Sequence, residues 1–241
     1  SDTLIISNDL ITAVGGYDNR NHFKNKVRMV AGRWGQPTVS QHLFPELYGS
    51  AEVWIEGDTK VDTVGNIYFM CGTSGIWHFG VKNENMIQCG DLEPQISNGK
   101  FILESDDIKK GSTTAWIPYL AAAPNGYIDL NGHDQEAAYW VGQGTPTEAD
   151  GKHYVVRSDA AATVTANGTS DVTRDMPVQF LGALNVHVKG YGTHLLKNSG
   201  STSRVDLRVS AATLKMMWNS KWDGTNIVVE GTGKLDCQCS T

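Results

Sequence analysis

Apolar and polar positions alternate in runs of about four to eight residues along almost the whole chain, the pattern of strands with one dry and one wet face. Val27, Met29 and Ala31 alternate with Arg28 and Val30. Val53 and Ile55 then oppose Glu52, Trp54 and Glu56. Leu184, Val186 and Val188 face away from Asn185, His187 and Lys189, and Val205, Leu207 and Val209 repeat this against Asp206, Arg208 and Ser210. Asn66 to Cys71, Ile76 to Val81 and Asn85 to Cys89 are separated by Gly72-Thr73-Ser74-Gly75 and by Lys82-Asn83-Glu84, which predicts a three-strand meander. Asn98-Gly99, Asn125-Gly126, Asp150-Gly151 and Asn167-Gly168 have the composition of tight hairpin turns.

Many short strands joined by hairpin turns predict an all-β fold, an antiparallel β-sandwich or jelly roll with at most one or two short helices. The one helix candidate begins at Ser210, where Leu214, Met217, Trp218 and Trp222 fit a helical face. The same residues fit a strand that flips near Ala211-Ala212, and period alone does not separate the two. No repeat of fixed period is evident. One large domain over residues 1–241 is expected, with the polar stretch from Glu104 to Thr114 as a boundary or, preferably, a long surface loop.

Composition narrows the function classes. The chain has 241 residues, 26 of them glycine, only 19% charged residues and a formal net charge of -6. That balance lacks the basic footprint of a nucleic-acid binder. No apolar stretch is long enough for a helical membrane span or a cleavable signal peptide, so neither is expected.

Candidate chemistry is sparse. Four cysteines form two local groups: Cys71 and Cys89 near strand ends of the meander, and Cys237 with Cys239 near the C-terminus. The first two read as a bridge or, preferably, as buried apolar thiols. The second two share one face of a strand, so their disulfide partners are expected elsewhere in the chain or in a neighbouring subunit. Neither group has Cys-x-x-Cys zinc spacing. The oxygen-rich run Asp129 to Glu136 departs from the calcium-loop pattern, and a turn explains it equally well. No metal and no cofactor are expected. Glu52 and Glu56 flank Trp54 on one strand face and resemble the floor of a sugar cleft. Their Cα atoms are roughly 13 Å apart at about 3.3 Å per residue, against about 5–9.5 Å between paired glycosidase carboxyls. Trp54, Glu52, Glu56, Tyr139, Trp140, Trp218 and Trp222 are therefore ligand or interface candidates, and no catalytic residue is assigned.

The low charge density, glycine-rich turns and continuous short strands resemble, in texture, exposed virion and phage-tail components such as spikes, fibres, collars and decoration proteins. The resemblance implies a non-enzymatic assembly protein at an extracellular particle surface. Its expected partners are copies of itself and other virion proteins, with a cell-surface glycan as a recognition target and without nucleic acid or membrane insertion. The alternative is a jelly-roll protein that binds or cleaves carbohydrate, with Trp54 and its glutamates in the cleft.

Overall fold

The computed structural model describes residues 2–10, 21–36, 43–63, 65–81, 87–88, 92–96, 98–107, 125–138, 140, 154–176, 178–196, 200–201, 206–217, 221–222 and 226–238. Every regular element among them is a β-strand. The largest sheet runs through Leu4–Ile6, Lys26–Gln36, Glu52–Thr63, Ile76–Val81, Asn98–Leu103, Asn125–Asp129, Tyr154–Gly168, Val178–Gly190, Asp206–Ser210 and Ile227–Glu230, in sequence order. Every pairing along this path is parallel.

In-register neighbours are about 20–28 residues apart in sequence, as in Val27 beside Val53, Val53 beside Trp77, and Trp77 beside Phe101. Between successive strands of this sheet the chain passes through shorter ones that stack in parallel on other sides of the molecule. Asn21–Phe23, Pro45–Leu47, Ile67–Cys71 and Leu92–Ile96 form one such sheet, and Thr173–Met176, Thr193–Leu196, Thr213–Met216 and Lys234–Cys237 another. Each circuit adds one rung, so the fold is a β-solenoid.

This overturns the antiparallel sandwich or jelly roll. Parallel sheets are usually covered on both faces and read as unbroken apolar runs. A solenoid covers its parallel sheet on the inner face only, and the resulting alternation imitates an antiparallel sheet. The expected meander dissolves for the same reason: Ile67–Cys71 and Ile76–Val81 lie in different sheets, and Gly72 to Gly75 turns a corner between them. Asn98-Gly99 is no hairpin either, since it lies in register beside Asn125-Gly126 at the start of the next rung. Between Ser210 and Trp222 the described residues are extended, with Asp206–Ser210, Thr213–Met216 and Lys221–Trp222 as strands and a corner at Ala211. The helical spacing there is coincidental.

Stacked rungs place like side chains in columns. Val27, Val53, Trp77, Phe101, Ile128, Val156 and Phe180 follow one another along one inward column, all nearly or fully buried. Met29, Ile55, Phe79 and Leu103 form a second. Phe69, from the opposing sheet, meets Trp77, Phe79 and Phe101 edge-on at 5.1–5.3 Å between ring centroids, an arrangement favoured by the ring quadrupoles. The C-terminal half substitutes aliphatic columns such as Val164, Val186 and Leu207.

The longest strands bend to cover two sides. Register shifts between Met29 and Ala31 and between Ser158 and Ala162 mark the bends, as bulges do. Across from Ser158, Gly182 has φ +90°, where an added Cβ would collide with the Ser158 carbonyl oxygen.

Candidate functional site

Glu52, Trp54 and Glu56 point outward, as strand alternation predicts, and neighbouring rungs supply partners for all three. Arg28, Trp54 and His78 occupy one register column. The His78 imidazole stacks on the Trp54 indole at 4.7 Å and 9°, while the Arg28 guanidinium lies 5.5 Å from the ring on the preceding rung. Both faces of the indole are thus covered, which leaves neither to stack on a sugar ring.

The carboxylates are engaged in the same way. Lys26 Nζ is 2.7 Å from Glu52 Oε2, and His78 Nε2 is 3.0 Å from Glu52 Oε1. On its other side His78 Nδ1 lies 2.7 Å from Glu104 Oε1, and Asn131 Nδ2 donates to Glu104 Oε2 at 3.2 Å. Burial works against the Glu52 charge, but the hydrogen bonds from Lys26 and His78 outweigh it and hold the carboxyl below its ordinary value. Glu56 pairs with Arg28 at 2.7–2.8 Å. Glu52 and Glu56 therefore serve different cross-rung contacts, and the arrangement ties rungs together along the outer face. His78, Glu104, Lys26 and Arg28 escaped the sequence reading. The available signal was the common interval of 26 residues from Lys26 to Glu52, His78 and Glu104.

The oxygen-rich turn after Asp129 is tied to the rungs on either side by carboxylates of its own and of the preceding rung. Asp106 Oδ1 accepts from the Asp134 backbone N–H at 3.0 Å, Asp107 Oδ1 from Glu136 N–H at 3.0 Å, and Asp134 Oδ1 from Thr163 N–H at 2.6 Å. These bonds pin three successive rungs at the bend. Among the described residues no group of three His, Cys, Asp or Glu side chains is arranged to hold a metal ion.

The remaining candidates do not converge. Trp140 is buried and donates from Nε1 to the Thr165 carbonyl at 3.0 Å, a core role. Trp222 belongs to a two-residue strand beside Gly200–Ser201. Tyr139 and Trp218 lie outside the described residues, as do Cys89 and Cys239. Cys71 is buried at a corner, its Sγ 3.2 Å from the Thr73 carbonyl and 3.3 Å from that of Asn98, and burial pushes its thiol pKa up. Cys237 is exposed at the end of its strand.

The two ends of the main sheet expose what every interior rung hides. Leu4 continues the column of Val27, and Ile227 and Val229 continue that of Leu207 and Val209. Val27 is 6% exposed and Val209 0%, against 59% for Leu4, 48% for Ile227 and 46% for Val229. Among the described strands, Leu4–Ile6 and Ile227–Glu230 each have a neighbour on one side only.

In comparisons with known proteins, no family model matches the chain, and no curated protein or solved structure matches it significantly.

Proposed function

We propose that the chain is a non-enzymatic assembly component, a stacked β-rod segment whose exposed end rungs are covered by further copies of itself, the last rung of one copy against the first rung of the next. One observation carries the reading: among the described strands, the apolar core columns run out into solvent at Leu4–Ile6 and at Ile227–Glu230, each of which has a strand neighbour on one side only. Exposed apolar edges of this kind are templates for pairing, and solenoids need either polar capping rungs or a neighbour at each end. The contact joins two different surfaces, so repetition produces rings or open filaments and not a closed two-fold dimer.

The outer-face chemistry supports a mechanical role. Its ion pairs and the Arg28, Trp54 and His78 stack join one rung to the next, and each charged group of that ladder is paired. Low charge density and net charge of -6 fit a particle-surface protein better than a nucleic-acid partner. Exposed virion and phage-tail fibres, spikes and collars are the class this reading favours. Negative-stain electron microscopy at micromolar concentration tests it: rods or rings built from repeated units are expected, and uniformly single particles of one chain would refute it.

A further inference from the structure

An outward cluster on the C-terminal half holds a different set of groups from the ladder around Trp54. Glu136, Asn167 and Lys189 belong to three successive rungs, in Gln135–Ala137, Tyr154–Gly168 and Val178–Gly190. Asn167 and Lys189 are directly in register, so their backbones run about 4.7–4.9 Å apart. Alternation turns both side chains outward, since Ala166 and Val188 beside them are buried. The Glu136 carboxylate meets both: Asn167 Nδ2 donates to Oε1 at 2.8 Å, and Lys189 Nζ lies 2.9 Å from Oε2.

The surrounding backbone holds this arrangement in place. Glu136 N–H donates to Asp107 Oδ1 at 3.0 Å, which anchors the strand carrying the carboxylate to the rung before it. Gly190 leaves room for the carboxamide, because a Cβ there would stand 2.6 Å from Asn167 Oδ1. The amide oxygen thus lies over Gly190 while the amide nitrogen points to Glu136. An amine, a carboxamide and a carboxylate that touches both are the set of groups needed to form an amide between two side chains. Amide exchange by an amine is slow in water because the two groups must meet and the leaving nitrogen must gain a proton. Register supplies the meeting, and alignment of this kind reaches effective concentrations of about 10⁵ M or more. Glu136 is placed to supply the proton, as general base to the amine and then general acid to the leaving nitrogen.

We propose that Lys189 and Asn167 become joined by an isopeptide bond that the chain forms by itself, with Glu136 as the proton carrier. Glu136 takes one proton from the Lys189 ammonium, and the freed Nζ attacks Asn167 Cγ. The Nζ–Cγ bond forms, a second Nζ proton passes to Nδ2, and the Cγ–Nδ2 bond breaks. Ammonia leaves with the proton held by Glu136, so one amide between rungs is gained, one ammonium ion is released and the carboxylate is restored. The step needs no oxidant or reductant. The bond staples adjacent rungs on the side of the rod, so it goes beyond the assembly reading and survives or fails independently of it. The test is intact-mass spectrometry of the full chain after incubation at pH 8, with fragmentation of its proteolytic peptides. A mass lower by one ammonia is expected, with a branched peptide joining the segments around Asn167 and Lys189. Glu136→Gln should slow the cross-link about a hundredfold or more, and Lys189→Arg should abolish it. Both variants keep side-chain size at an outward position, and circular dichroism checks that their strand content equals the parent's. An unchanged mass in the parent, an ammonia loss that persists in Lys189→Arg because a ring has closed within Asn167-Gly168, or an equal rate in Glu136→Gln would each overturn the proposal.

Discussion

His194 is one of few polar side chains in the core, 1% exposed, and burial depresses its pKa to about 4 despite a hydrogen bond with the Tyr191 backbone. In the unfolded chain the ring titrates near its ordinary 6.5. Above that value both states are neutral and the full stability is present. As pH falls from about 6.5 towards 4 the unfolded chain binds the proton first, and stability drops by about 3 kcal/mol in total. Urea denaturation midpoints at pH 7, 5.5 and 4.5 should show this fall, and His194→Gln should flatten it; parallel curves would contradict the assignment. Ala211 supplies a second test. It has φ +61° at a corner where its rung neighbours are Gly190 at +80° and Gly231 at +59°. A left-handed conformation penalises a Cβ, so Ala211→Gly should stabilise the protein by about 0.5–1 kcal/mol, a rise of roughly 2 °C in Tm by calorimetry. Side-chain direction was legible at this scale: Val53, Ile55, Leu184, Val186, Val188, Leu207 and Val209 are buried where alternation placed them. The partners of Glu52 and Glu56 were not, because they come from adjacent rungs and not from nearby sequence.

Strands were legible as elements, but their pairing was not. A period of two says which way each side chain points and nothing about which strand lies alongside. The asparagine–glycine pairs then drew a hairpin reading that their alignment across rungs explains better. The repeat stayed hidden because rung length varies: Phe101 to Ile128 and Ile128 to Val156 are longer steps than Leu207 to Ile227. The bends in the long strands make the element-scale account testable. Gly182 combines φ +90° with direct contact to the neighbouring rung at the Ser158 bulge. Gly182→Ala should therefore cost about 2–4 kcal/mol, read from chemical denaturation. Gly49 has φ +62° with open space around it, and Gly49→Ala should cost about 1 kcal/mol. Equal effects at the two positions would contradict the close packing at the bend.

At the scale of the whole molecule, continuous columns join the fold to its proposed role. The inner columns supply apolar contact from rung to rung, the outer ones supply ion pairs, and both reach ends where the next rung is missing among the described strands. An all-β, turn-rich, acidic chain was readable from the alternation pattern and composition. The direction of stacking was not, because it depends on parallel pairing. Substituting Ile227→Lys and Val229→Lys together places two charges on the open end of the core while leaving the buried rungs untouched. Multi-angle light scattering at micromolar concentration, with circular dichroism to confirm equal strand content, compares this variant with the parent. The parent should have a mass several times 26.2 kDa and the double variant a mass of 26.2 kDa. A parent that is monomeric at every concentration, or an oligomer that both lysines leave intact, would contradict end-on assembly.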